Sequence, residues 1–286
     1  MRRMLCAAKV SRLCRFGAKP ARRKRVQSQV KSSAKVKNHQ VQSYKVLLRV
    51  FGVAAAMFIG ARSTPAQATP LPKKVDLRAQ FNQWGLPIKP QGRRDTCAVF
   101  TLTGALEYAL ARGTGETGLR LSEEYLNWAA DDITGIKFDG ASYEELISAF
   151  DKWGISAEKF LPYYTRYNAS LRPSPNALAS AKEIWELGFQ RHWVAQRTEN
   201  GLDETQIQEM KTVLASGWPL CAYGVDHSIL LVGYQDDSSM DGGGQFITRN
   251  SAMQRYETIF YSAAREEFGS VLWIDLQVPE TETKSN

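Results

Sequence analysis

A few residues of this chain have the types and surroundings that nucleophilic chemistry needs. Cys97 begins an apolar stretch, residues 97–112, whose spacing of apolar side chains predicts a helix. Free amides and the helix dipole at such an N-terminus favour a thiolate, so we expect a reactive Cys97 with a lowered pKa. Cys221 lies in an apolar segment typical of a strand, where we expect a small buried side chain.

A thiolate needs an imidazole partner, and the sequence offers three histidines. His39 lies in the basic leader, and His192 lies between Arg and Trp on a predicted strand, which is typical of an ordinary surface or packing residue. His227 stands where a loop enters an apolar strand, a place where reactive groups are commonly held. A third group must orient the ring, and Asn250, just after another predicted strand, is the candidate.

The elements that must position these residues change in character along the chain. Helices predominate in the first half, with residues 97–112 capped by Asp95 or Thr96 and ended by Gly113, and with a second helix capped by Ser122. Further helices are predicted at 143–153 and 204–215, and strands at 219–223, 228–234, 245–249, 271–276 and near the end of 183–196. This segregation predicts an α+β fold with two subdomains.

Composition and charge narrow the classes of function. A hydrophobic fraction of 43% and a charged fraction of 23% are those of a globular chain. Residues 1–68 hold 16 of the 37 Lys and Arg residues and none of the 29 acids, so the remaining chain has a net charge of −8. An acidic body repels phosphate backbones, which argues against nucleic acid as a partner. Neither a cofactor nor a metal site is expected, because the acidic pairs Asp131-Asp132 and Asp236-Asp237 are typical of solvated loops.

The N-terminal 68 residues have the three parts of a secretory signal peptide. A basic region is followed by an apolar run at 46–61 and by Ala66-Gln67-Ala68, a small-residue cleavage signature. We therefore expect an exported protein, periplasmic or secreted, cleaved near Ala68. A membrane anchor at 46–61 is the alternative, although that run is shorter than the roughly 20 residues a spanning helix needs. A transit peptide is a further alternative.

At this point a family resemblance becomes plain. The segment PIKPQGRRDTCAVF (residues 87–100) resembles the nucleophile region of papain-like cysteine peptidases, in which a Gln stands six positions before the Cys. Further pieces follow in the family's order over about residues 75–276. They are the LSEE, DGASY and LPYY segments at 121–124, 139–143 and 161–164, VDH followed by LVGY at 225–227 and 231–234, and FITRNS at 246–251.

The resemblance implies a papain-like fold, with a helical left subdomain and a β-rich right subdomain flanking an active-site cleft. It divides the chain into a leader at 1–68, a tether at 69–74, a peptidase domain at 75–277 with halves at about 85–172 and 173–277, and a polar tail at 278–286. It implies a polypeptide substrate, hydrolysed by a Cys97 thiolate and His227 with Asn250 orienting the ring. Gln91 would complete the oxyanion hole, Gly140 and Ala141 would bind substrate backbone, and Asp226 and Ser228 would shape the neighbouring pocket.

The sequence also departs from the family pattern. Arg94 replaces a half-cystine, Ala98 replaces a Trp beside the nucleophile, and Ala252-Met253 stands where the family has the Trp that shields the His–Asn hydrogen bond. Two alternatives therefore stay open beside the peptidase. One is a papain-fold binding protein with little or no turnover, and the other is an acyl transferase of the transglutaminase or amidase type. The oligomeric state is not fixed by the sequence.

Overall fold

The computed structural model describes residues 70–224 and 226–276. The predicted leader, its cleavage site, the alternative anchor at 46–61 and the tail at 278–286 lie outside the described residues. The described residues belong to one compact unit. Within them, none of the helices combines the length and the apolar character needed to cross a membrane.

The described residues form helices and one sheet, and the strands of the sheet come mainly from the second half of the chain. The helices are α1 (Arg78–Gln83), α2 (Cys97–Thr114), α3 (Glu123–Thr134), α4 (Tyr143–Trp153), α5 (Pro175–Trp185), α6 (Glu204–Ala215) and α7 (Tyr261–Glu267). The strands are β1 (Lys74–Asp76), β2 (Phe189–Ala195), β3 (Leu220–Tyr223), β4 (Ser228–Asp236), β5 (Gly244–Asn250), β6 (Arg255–Phe260) and β7 (Ser270–Leu276).

All strands pair antiparallel in one sheet of order β2-β7-β3-β4-β5-β6, and β1 pairs with β4. The helix α2 packs against β4 and β7 on one side and against α3 and α4 on the other. Fourteen of its residues, from Ala98 to Ala111, are buried. A helix that is apolar all round in this way must lie inside the molecule. The predicted α+β class is confirmed.

Local sequence signals explain where the helices of the first half begin. The Ser122 hydroxyl accepts a hydrogen bond from the Tyr125 N–H and caps α3. Ser142 and Glu145 form a capping box at the start of α4, in which each side chain bonds the other's backbone N–H. Both helices therefore start where the sequence predicted.

The predicted end of the first long helix was wrong. The helix α2 runs to Thr114 and is capped by Gly115 in the left-handed region, whereas Gly113 lies inside it, where a Cβ would come 2.7 Å from Leu276 Cδ2. The strand predicted near the end of 183–196 is β2, and residues 183–185 before it belong to α5, which Ser174 caps and Pro175 starts. The helices α1, α5 and α7 and the strand β6 were not predicted. Since α5, α6 and α7 lie beyond residue 172, the division into two halves stays a prediction.

A buried charge cluster lies beneath the first half of the chain. The Lys89 ammonium is 2.7 Å from Glu107 Oε1 and 2.5 Å from Glu123 Oε1, and both carboxylates are buried. Burial raises the pKa of Glu123 to about 7, while Lys89 acts against this rise and the Glu107 carboxylate adds to it. The buried Arg249 guanidinium is a second cation that acts on both carboxylates.

Candidate active site

Cys97 is the first residue of α2, and a tyrosine holds the loop that leads to it. Thr96 occupies the N-cap position, but its hydroxyl lies 2.7 Å from the Tyr163 hydroxyl instead of bonding the first turn of the helix. Tyr163 donates in turn to the Gln91 carbonyl at 3.0 Å, so Thr96 must be the donor of the first bond. Through Tyr163, the predicted extended turn at 161–164 therefore holds Gln91 and Thr96, which lie near the two ends of the loop that leads to Cys97.

The Cys97 thiol is half-buried and lies against the start of β4. Burial raises its pKa, whereas hydrogen bonds from the backbone N–H groups of Ser228 and Ala98 act in the opposite direction. The nearby Asp95 carboxylate raises the pKa further. The expected lowering by the helix terminus is therefore wrong for the thiol by itself. A thiolate at neutral pH would need a cation beside it, and Ser228 directly follows His227 in the chain.

His227 and Asn250 are brought together from neighbouring strands, with His227 Nε2 3.1 Å from Asn250 Oδ1. The orientation of the Asn250 amide is fixed from both sides. Its Nδ2 donates to Glu257 Oε2 at 2.8 Å, and its Oδ1 accepts from the N–H groups of Ala252 and Met253. Because Oδ1 can only accept, His227 Nε2 must carry a hydrogen, which leaves Nδ1 free for another partner.

The Gln91 side chain is buried beside the same loop and held by two contacts. Its Oε1 accepts from the Ser251 hydroxyl at 2.8 Å, and its Nε2 donates to the Arg94 carbonyl at 3.0 Å. An amide nitrogen has two hydrogens, so one of them remains for a ligand. The backbone supports this position as well, since the Gln91 N–H donates to the Ser251 carbonyl at 3.3 Å.

Arg94 takes the place of the family's half-cystine with a set of ionic contacts. Its guanidinium bonds both carboxylate oxygens of Asp139, at 2.8 to 3.1 Å, and also pairs with the buried Glu124 carboxylate. The Tyr163 ring covers the guanidinium at 4.4 Å. Because Asp139 precedes Gly140, this cluster ties the nucleophile loop to the predicted substrate strip. We call Arg94, Glu124 and Asp139 the arginine clamp.

The predicted substrate-binding residues differ in accessibility. Gly140 adopts a φ of +106°, and a Cβ there would come 2.1 Å from the Asp95 carbonyl oxygen, so the strip runs directly beside the nucleophile loop. Ala141 is half-buried and Asp226 is exposed. The Ser228 hydroxyl is fully buried and bonds the Tyr143 hydroxyl, so it can shape a pocket only through that ring.

The remaining cysteine and histidine are placed elsewhere. Cys221 is fully buried on β3, where burial raises the pKa of its thiol strongly. His192 stacks on Trp273 with ring centroids 4.0 Å apart and lies 3.3 Å from Asp275. Among the described residues, Cys97 and Cys221 are free thiols, and no group of His, Cys, Asp or Glu could hold a metal ion.

Sequence reasoning missed three residues of this site. Tyr163 and Glu124 lie within segments that resembled the family, but their contacts to Thr96 and Arg94 are not visible in those segments. Glu257 lies on the unpredicted strand β6, and no sequence signal pointed to it. Ala252, which stands where the resemblance places the family's shielding Trp, is half-buried and has no ring to cover the His227–Asn250 pair, and the next side chain, Met253, is exposed.

The chain has a papain-like fold. The sequence matches no family model. Among solved structures it resembles xylellain, a cysteine protease from Xylella fastidiosa, with a TM-score of 0.56 and 20% identity over 72% of this chain and 87% of that one. It also resembles the proform of the ragweed pollen allergen Amb a 11, a cysteine protease, with a TM-score of 0.53 and 22% identity over 75% of this chain and 69% of that one.

A curated relative agrees with these structures. Procathepsin L of Felis catus is 24% identical over 194 residues, which cover 63% of this chain. The match spans 57% of the length of that relative. The digestive procathepsin L 3 of Tenebrio molitor has a similar structure, with a TM-score of 0.51 and 20% identity over 73% of this chain and 72% of that one. The resemblance to papain-like cysteine proteases thus holds for the fold.

Proposed function

We propose that this protein is a papain-like cysteine peptidase that hydrolyses peptide bonds in polypeptides. The observation that carries the proposal is the hydrogen bond between His227, which directly precedes β4, and Asn250 at the end of β5, beside the Ser228 amide that contacts Cys97. A thiol, an imidazole and an orienting amide are the groups that this type of nucleophilic catalysis uses, and their proximity supports the proposal. Similarity to cysteine proteases of the same fold supports the choice of peptide bonds.

The tautomer of the His227 ring determines what each of its two nitrogens does in the proposed reaction. With Nε2 bonded to Asn250, Nδ1 of His227 takes the Cys97 proton and forms an imidazolium beside the thiolate. The thiolate sulfur attacks the scissile carbonyl carbon, a C–S bond forms, and the carbonyl π electrons move to oxygen. The second Nε2 hydrogen of Gln91 and the Cys97 N–H stabilise that oxyanion.

The oxyanion then collapses, and the C–N bond breaks as the imidazolium gives its proton to the leaving amine. Water adds to the acyl-enzyme while His227 takes the proton of that water. When the C–S bond breaks, the imidazolium returns that proton to the Cys97 sulfur, the carboxylic acid product leaves and the site is restored.

The substrate would lie extended along the Gly140–Ala141 strip. The Gly140 N–H already donates to Asn127 Oδ1 at 2.8 Å, so the Gly140 carbonyl and the Ala141 backbone are the groups proposed to bind substrate. Asp226 is exposed at the other side of His227 and could contact the leaving part of the chain. The proposed peptidase domain extends over residues 75–277, and we propose that it is exported through the leader at 1–68.

The cysteine and histidine variants each have a matched control, because the chain also contains a cysteine and a histidine outside the proposed site. Cys97→Ala and His227→Gln should each lower the hydrolysis of a fluorescent protein substrate by on the order of 10⁴-fold or more. Cys221→Ala and His192→Gln should keep wild-type rates. Gln91→Ala should lower kcat by roughly 10²- to 10³-fold. Equal activity of Cys97→Ala and the wild type would refute the peptidase proposal.

The second candidate is a papain-fold binding protein with little turnover. It is favoured by the raised pKa of Cys97 and by Ala252, which has no ring at the position of the missing shield. An epoxysuccinyl reagent distinguishes the two candidates. Stoichiometric labelling of Cys97 at neutral pH that requires His227 supports the peptidase, whereas an unlabelled Cys97 supports the binding protein. If labelling occurs without peptide hydrolysis, aminolysis assays with amine acceptors test the acyl transferase.

A further inference from the structure

The Asn250 amide makes one contact that the proposed mechanism does not use, a hydrogen bond to a carboxylate. Its Nδ2 donates to Glu257 Oε2 at 2.8 Å. The other oxygen of Glu257 accepts from Arg255 Nε at 3.0 Å and Nη2 at 2.7 Å. A chain of hydrogen bonds therefore runs from the imidazole through an amide to a carboxylate and ends at a guanidinium.

The pairing of β5 with β6 produces this arrangement. Asn250 stands opposite Arg255 in the register, and Thr248 stands opposite Glu257. Side chains two residues apart on a strand share a face, so Glu257 is the diagonal neighbour of Asn250. Ordinary strand geometry thus holds the carboxylate against the amide nitrogen without bending the backbone.

We propose that Glu257 is a positioning residue that holds the Asn250 amide and stabilises the imidazolium form of His227 through it. The inference rests on the proposed function for its biological meaning, but the contact can be tested without any substrate. Glu257 would serve where the family uses an aromatic shield. Ala252, at the position of that shield, has no ring to cover the His227–Asn250 bond, whereas a charge-assisted hydrogen bond from the amide to Glu257 strengthens it by polarisation.

The expected effect of the Glu257 charge on the titration of the His227 ring follows from the length of the hydrogen-bond chain between them. Bonds of 2.8 and 3.1 Å flank one amide group. The carboxylate therefore lies on the order of 7 Å from the ring, and at that distance one charge moves a titration by roughly 0.5 to 1.5 pH units. Arg255 neutralises part of that charge, and the Glu257 side chain is 30% exposed, so we expect the lower part of the range.

Other charged groups near the His227–Asn250 pair also act on the proposed active site. Asp226 adjoins His227 in the chain and is exposed, and Asp95 acts on Cys97 from the nucleophile loop. These groups stay unchanged in the variants below. Glu257 contacts the Asn250 amide and Arg255 pairs with Glu257, and the Glu257 charge also acts on His227 directly through space.

The experiment follows the titration of the His227 ring by NMR in the full chain with labelled histidine and the background substitution Cys97→Ala. His227→Gln assigns the signal. Glu257→Gln, which keeps the shape and can still accept a hydrogen bond, should move the midpoint down by roughly 0.5 to 1 pH unit. Arg255→Gln should move it in the opposite direction, because it removes the charge that neutralises Glu257. Glu183→Gln, an exposed residue on α5, is the matched control and should leave it unchanged.

The two signs separate a positioning role from a purely structural one. A residue that only held β6 in place would change the unfolding midpoint and leave the ring titration alone. If Glu257→Gln leaves the midpoint within 0.2 pH units of its background value, on the order of the scatter expected without coupling, the inference is wrong. Because the ring titrates without substrate, this result is independent of whether the wild type cleaves peptides, which the Cys97 variants test separately.

Discussion

Replacing Arg94 with methionine should destabilise the fold more than any loss of a surface ion pair. The Arg94 side chain is 4% exposed, and its partner Glu124 is 2% exposed. Methionine fills a similar volume but offers no charge and no donor. Glu124 would then be a buried carboxylate whose polar support is reduced to the Tyr164 N–H at 3.2 Å.

The expected loss in the free energy of unfolding follows from the Glu124 charge, which would remain buried without its partner. Removing one partner of a buried ion pair typically costs 3–5 kcal/mol, because the other charge is left without compensation. Asp139 is 19% exposed and can be hydrated, so it adds little. We therefore expect Arg94→Met to lower the free energy of unfolding by about 3–4 kcal/mol near pH 8.

Urea unfolding followed by tryptophan fluorescence measures this difference. The double variant Arg94→Met with Glu124→Gln should recover at least about 1 kcal/mol, because no buried charge remains unpaired. Lys182→Met is the control, since it removes an exposed ion pair with Glu186 and should leave the midpoint unchanged. A loss below about 1 kcal/mol for Arg94→Met at pH 8, or no recovery in the double variant, would refute the argument.

Three further predictions follow from burial and backbone geometry. Burial raises the pKa of Glu123 to about 7 from an unfolded value near 4.5, so the native state binds one more proton than the unfolded state between these pH values. The free energy of unfolding should therefore fall as the pH rises from about 4.5 to 7. Glu123→Gln should flatten this slope, as urea unfolding at several pH values would show. Iodoacetamide should modify Cys97 in the native protein and Cys221 only after unfolding, as peptide mass mapping would show. Gly140→Ala should lower the melting temperature more than Gly115→Ala, since both need a positive φ but only the first Cβ would strike a backbone carbonyl; equal losses would contradict this.

The local elements could be read from the sequence because their causes are local. Apolar periodicity and the capping side chains of Ser122, Ser142 and Asp203 lie within a few residues of one another, so α3, α4 and α6 have the predicted starts. The start of β4 and, to within one residue, the end of β5 were also predicted; His227 directly precedes β4, and Asn250 is the last residue of β5. The strand β6 was missed because its burial is partial, with no clean alternation to mark it.

The sequence by itself predicted the fold class and the thiol, imidazole, amide and glutamine that we propose for the site. Cys97 and Asn250 lie at the ends of α2 and β5 and His227 directly precedes β4, whereas Gln91 stands in a loop and was proposed from the family resemblance. Only the tertiary structure decided what surrounds them. The pKa of Cys97 depends on burial against β4, the arginine clamp joins residues 30 and 45 positions apart, and Glu257 reaches Asn250 through the register of two strands. Burial and register are set by packing between distant segments, so no local pattern contains them.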